Sequence, residues 1–180
     1  MRWINSGLIH GLGISYVPNM GEEFYRIVAN IDNAIIHLIN GLFTSDDIYD
    51  LDGWGFKLLI LGYKDTGRGI QFYVDHSEAI KKNIEWTKNH MDLLFDYFDV
   101  VAFDNLAIKQ LNVKDLLTDE EWSEIYSGDE GQFTYYIDLP CNTFSINSTS
   151  KPIGILRNNS DEMFNAVRKS ITETREYKHD

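Results

Sequence analysis

Residues 55–74 read GFKLLILGYKDTGRGIQFYV. Two β-rich runs, Gly55–Tyr63 and Gly69–Val74, flank Lys64-Asp65-Thr66-Gly67-Arg68, which has the composition of a turn. The spacing predicts a β-hairpin, and a hairpin predicts antiparallel pairing. Upstream, Phe24, Ile27, Val28, Ile31, Ile35, Leu38 and Leu42 recur at helical spacing after an Asn19-x-x-Glu22 cap pattern. They predict a helix from about Met20 to Asn40. A break near Asn30, Asp32 and Asn33, with a strand at 34–39, is the alternative.

Downstream, Ile80, Ile84, Thr87, Met91, Leu94, Phe95 and Phe98 predict an amphipathic helix over about 76–98. Val100–Phe103 is a short strand. Thr118-Asp119-Glu120-Glu121 is a capping box that opens a short helix to about Tyr126. Gln132–Asp138, Thr143–Ile146 and Pro152–Leu156 read as strands, the first two joined by a turn at Pro140. Ser160 caps a final helix that buries Phe164, Val167 and Ile171. Strands and helices mix without a strict βαβ rhythm. The expected fold is α+β: a single domain over 1–180, with a mainly antiparallel sheet of about five or six strands packed with three longer helices.

The 180 residues carry 28 acids against 16 Lys and Arg, a formal net charge of −12. The excess lies in residues 1–150, with 23 acids against 10 bases. Such a body repels phosphates, which argues against direct nucleic-acid binding and against an anionic membrane surface. The one cysteine, Cys141, excludes an internal disulfide framework and fits a reducing compartment. No apolar stretch reaches transmembrane or signal-peptide length, so the expected location is the cytoplasm.

Catalytic spacing is absent. His10, His37, His76, His90 and His179 share no metal-ligand spacing, and no Cys-x-x-Cys accompanies them. Asp46, Asp47, Asp50, Asp52 and Gly53 suggest a calcium loop, but aligning Gly53 with the loop glycine puts Ile48 and Leu59 at ligand positions. Gly11-Leu12-Gly13 and Gly67-Arg68-Gly69 complete no phosphate-binding pattern and read as turns or bulges. No cofactor, metal or catalytic residue is expected.

Charge carries more. Asp115–Asn147 holds eight acids and no Lys, Arg or His, with Trp122, Tyr126, Phe133, Tyr135 and Tyr136 among them. Asp119, Glu120 and Glu121 lie in a helix's first turn, where acids are stabilising. Glu124, Asp129, Glu130 and Asp138 have no such local reason. Asp92, Asp96 and Asp99 fall within about 60° of one another at the C-terminal end of the 76–98 helix, against its macrodipole.

In its compact acidic α+β character, lack of catalytic spacing and richness in Asp, Trp and Tyr, the chain resembles the immunity proteins of bacterial polymorphic-toxin and contact-dependent growth inhibition systems. The resemblance implies an inhibitor of a cognate basic toxin domain, an RNase or DNase. The partner-binding residues expected from the charge pattern are Glu120, Glu121, Trp122, Glu124, Tyr126, Asp129 and Glu130, with Asp92, Asp96 and Asp99 as a second patch. The rival readings are a small hydrolase with a dispersed Asp/His site and an adaptor for another basic protein.

Overall fold

The computed structural model describes residues 2–18 and 20–176, so Asn19 of the expected cap and His179 lie outside the described residues. The chain divides into two compact units, Met1–Thr118 and Asp119–Asp180. The boundary between Thr118 and Asp119 carries no linker composition.

The first unit opens with a short helix α1 (Arg2–Asn5) and runs β1 (Leu12–Ser15), α2 (Glu22–Ala29), β2 (Ala34–Ile39), α3 (Ser45–Leu51), β3 (Lys57–Leu61), α4 (Arg68–Asn89), α5 (Met91–Tyr97), β4 (Val100–Phe103) and α6 (Asn105–Leu111). A 3-10 turn at Val113–Leu116 follows. Its four strands form a parallel sheet in the order β1-β2-β3-β4. This corrects the mainly antiparallel sheet packed with three longer helices. Each pair of neighbouring strands is separated by a helix, and parallel strands need such a crossover. The runs AIIHLI and KLLIL are nearly continuous in apolar residues, as strands of parallel sheets are.

The hairpin over 55–74 is absent because Gly69–Val74 forms the first turns of α4. The β-rich composition of Ile70, Phe72, Tyr73 and Val74 is overridden by continuity with the helix that follows. The long helix over 20–40 is likewise replaced by the alternative. Asn30 closes α2, Asn33 turns the chain at a positive φ of 58°, and β2 follows. Gly21, not Asn19, precedes α2, with no side-chain cap.

The 76–98 helix is two helices. α4 carries non-helical backbone at His76, and the chain breaks again at His90 before α5. The same device marks both places. His76 Nδ1 donates to the Phe72 carbonyl at 3.0 Å with the rings stacked, and His90 Nδ1 donates to the Trp86 carbonyl at 2.8 Å with the rings stacked. At His90 the imidazole takes the place of the residue's own N–H, which would serve the Trp86 carbonyl in a continuous helix and instead donates to the Thr87 carbonyl at 3.2 Å.

One core lies on one face of the sheet. Ile36, Leu38, Leu58 and Ile60 pack there with Tyr25 and Val28 of α2, Ile48 and Leu51 of α3, Met91 and Leu94 of α5, and Ala107 and Leu111 of α6. On the second face Ile35, Lys57 and Val100 align in register, as do His37, Leu59 and Ala102, and Ile39 with Leu61. These residues are half-buried or exposed. Gly62, just past β3, lies so close to α6 that a Cβ there would meet the Leu106 Cγ at 2.4 Å.

The second unit contains α7 (Asp119–Ile125), β5 (Tyr136–Asp138), β6 (Thr143–Ser145), β7 (Gly154–Ile155) and α8 (Ser160–Glu176). Its three strands form an antiparallel sheet in the order β5-β6-β7, where the sequence placed strands. Phe144, Met163 and Val167 form its core. The cap of α8 is Asn159 rather than Ser160, since Asn159 Oδ1 accepts from the Asp161 and Glu162 amides.

Candidate functional site

The acidic run beginning at Asp115 splits at the unit boundary, and from Asp119 onward it belongs to the second unit. Asp119, Glu120 and Glu121 occupy the first turn of α7. Trp122 and Tyr126, four residues apart on one helical face, stack at 4.3 Å between ring centroids. Tyr126 donates its hydroxyl to Asp129 Oδ1 at 2.7 Å. Burial, then that bond, pushes the phenol up to about 12. Glu130 accepts from the Asn147 amide, and Asp138 accepts from the Cys141 backbone N–H at 3.0 Å. Asp129, Glu130 and Asp138 therefore have structural partners inside the unit. Glu120 and Glu124 remain exposed carboxylates, Glu121 is exposed and engaged within the structure, and Trp122 is half-buried.

Asp92, Asp96 and Asp99 belong to the first unit, and the break at His90 changes their meaning. Asp92 now sits in the first turn of α5, where an acid is favourable, whereas Asp96 stays in the last turn and Asp99 lies beyond it. Asp92, Phe95 and Asp96 share one face at i, i+3 and i+4. The opposite face buries Met91 and Leu94. α5 touches α3, where Tyr49 and Tyr97 approach to 6.0 Å.

Of the residues that suggest a calcium loop, Asp46, Asp47 and Asp50 lie in α3, Asp52 is its C-cap and Gly53 follows it. Thr44 and Asp47 cap it reciprocally: the Thr44 N–H and hydroxyl each donate to Asp47 Oδ2 at 2.8 Å. Asp47 points inward and also accepts the Tyr16 hydroxyl at 2.7 Å. Asp46, Tyr49 and Asp50 share the outer face. Tyr49 and Phe95 are 53% and 50% exposed, so two large rings stand in solvent beside carboxylates. Among the described residues, Asp46, Asp50, Asp92, Asp96 and Asp99 form no ion pair. The sequence reading missed Tyr49. The Thr44-x-x-Asp47 cap and the Asp46/Tyr49/Asp50 spacing were the signals that could have found it.

Among the described residues no group of three or more His, Cys, Asp or Glu side chains is placed to hold a metal ion. His10 neighbours Asn33, His37 folds over Gly13, and His76 and His90 bond to backbone carbonyls. The His–carboxylate pairing that the hydrolase reading needs is not found among the described residues. The hydrogen bond and charge of Asp138 raise the Cys141 thiol pKa, which disfavours the nucleophilic thiolate.

A cavity of about 610 Å³ opens at the carboxyl end of the parallel sheet. Ile39, Leu42, Leu61 and Phe72 supply apolar wall, and Lys64 and Asp104 are its charged residues. Nothing in the sequence reading pointed to it. Gly67-Arg68-Gly69, read as an isolated turn or bulge, connects β3 to α4 beside this cavity.

Compared with protein-family models, with curated proteins and with solved structures, the chain matches none. Among the described residues no helix is long and apolar enough to cross a membrane.

Proposed function

We propose that this protein is a binding protein of the immunity type, which neutralises a cationic toxin domain, a nuclease, in the cytoplasm. The observation that carries this reading is the outer face of α3 and α5. There Asp46, Asp50, Asp92 and Asp96 lack ion-pair partners among the described residues, beside the exposed rings of Tyr49 and Phe95, and Asp99, equally without one, follows the end of α5. Asp96 sits against its own helix dipole, where an acid costs about 0.3–1 kcal/mol, so helix stability does not account for it. Carboxylates held in solvent speed the approach of a basic partner, and aromatic rings supply the contact energy. Glu120, Glu121 and Glu124, with Trp122 and Tyr126, form a second candidate surface.

The test begins with capture of the partner from the native host and a check that the protein rescues cells from it. Association rates are then measured across a salt series. Replacing Asp92, Asp96 and Asp99 together by Lys is expected to slow association at least tenfold at low salt and to flatten its salt dependence. Replacing Glu120, Glu121 and Glu124 by Lys measures the share of the second surface. If neither set changes the rate, the acidic surfaces are not the interface.

A further inference from the structure

The cavity at the carboxyl end of the sheet offers an inference independent of the charged surfaces. Ile39 ends β2 and Leu61 ends β3, and the two are paired in register on the second face of the sheet. The first turns of α4 bring Phe72 to the same cavity, and Leu42 adds a further apolar wall. That part of α4 is a distinct segment. It starts at Gly67, whose φ of 56° and ψ of −126° are not helical, and ends at the non-helical backbone of His76. Between these points Ile70, Phe72 and Val74 are 55%, 43% and 69% exposed. A helical segment bounded by two breaks, with apolar side chains in solvent and one of them on a cavity wall, is built to pack on something apolar.

The polar groups define the rest of the ligand. Asp104 Oδ1 accepts from the backbone N–H groups of Gly62 at 2.9 Å and Ala107 at 2.7 Å. Its Oδ2 has no protein partner among the described residues. Tyr63 is committed to the scaffold, its hydroxyl to the Gly69 carbonyl and its N–H to Gln110. Asp104 thus leaves one carboxylate oxygen able to accept from a ligand's N–H or O–H, and the one positive and one negative charge on the wall, Lys64 and Asp104, balance, with Lys64 already engaged within the structure, so the cavity favours an uncharged ligand. The volume lies in the range that takes a drug-sized molecule, and such sites combine apolar walls with few polar groups.

We propose that this cavity binds an uncharged, largely apolar small molecule that carries one hydrogen-bond donor, with the donor at Asp104 and the apolar body between Ile39, Leu61 and Phe72. The test titrates the full chain with N-phenyl-1-naphthylamine, a neutral aromatic amine whose fluorescence rises in apolar sites. Saturable one-to-one binding is expected, at least tenfold tighter than that of the anionic 8-anilinonaphthalene-1-sulfonate. Leu42→Trp, which fills the cavity, and Ile39→Lys, which charges its wall, are each expected to weaken binding at least tenfold with an unchanged circular dichroism spectrum. Both positions are partly exposed, so both variants should fold. Leu139→Ser and Ile155→Ser, at exposed apolar positions of the second unit, are expected to bind like the parent. Absence of saturable binding, folded wall variants that bind normally, loss of binding in the second-unit variants, or equal affinity for the sulfonate would each overturn the proposal.

Discussion

Asp47 gathers three donors on one buried carboxylate: the Tyr16 hydroxyl, the Thr44 hydroxyl and the Thr44 N–H. One side chain thus caps α3 and ties it to the segment that follows β1. Burial, then the bond to Asp47, holds the Tyr16 phenol above its ordinary value of 10.0. A phenol raised in the folded state stabilises the fold fully below its unfolded value and loses that contribution as the pH climbs past it. Tyr16→Phe is expected to cost about 1–2 kcal/mol near neutrality, the price of a donor removed from a buried carboxylate. Urea midpoints between pH 8 and 11 give the check: the parent should lose stability above about pH 10 more steeply than Tyr16→Phe. Little of this was legible beforehand. In the sequence Asp47 stands with Asp46, Asp50, Asp52 and Gly53 in one loop-like cluster, and spacing cannot say which of its acids turns inward.

Among the elements, the short ones carry the proposed surface and are the most exposed to change. α3 and α5 have seven residues each, too few to persist alone in water. α3 stands on its reciprocal cap and on the burial of Ile48 and Leu51. Thr44→Val keeps the shape but removes the hydroxyl, and is expected to cost about 1 kcal/mol in chemical denaturation. Hydrogen exchange should quicken in residues 45–51 first, because Tyr49 and Asp50 are held in place by nothing longer than this helix. The element readings that succeeded share a property. β4, the strands of the second unit, α7 and α8 were each marked by local punctuation, such as Pro140 or the Thr118 box. Those that failed turned on long-range choices. The run after Gly69 has strand composition and helical structure, and the acids after Thr44 fit a loop as well as a capped helix. The break at His90 is written as an aromatic residue four positions before a histidine, at Trp86 and His90, and again at Phe72 and His76. That spacing was visible in the chain, but its meaning was not.

At the scale of the molecule, the two units differ in how much core each commands. Among the described residues, the first buries sixteen in one apolar cluster, while the cluster of the second has three. A unit of about sixty residues with so small a core sits near the limit of independent stability. Amide exchange is expected to give lower protection in residues 119–176 than in the strands of the first unit, and thermal unfolding should depart from a single two-state transition. Equal protection in the two would count against this. The mixture of strands and helices was legible from composition and periodicity, but parallel pairing was not. It depends on whether a chain returns to a sheet from the same end, and only the unbroken apolar runs of β2 and β3 hinted at that.

The order β1-β2-β3-β4 also governs how the first unit can assemble. Every strand pairs only with its neighbours in the chain, so no pairing has to wait for a distant segment. The stretch between β3 and β4 is roughly twice that between β2 and β3, which adds only about 0.6 kcal/mol to the entropy of closure. The sheet can therefore begin at the central pair, β2 with β3, and add β1 and β4 on either side as separate short searches. For a parallel sheet, an arrangement that usually folds slowly, this is a quick route, and it leaves little time for the apolar runs of β2 and β3 to meet those of another chain.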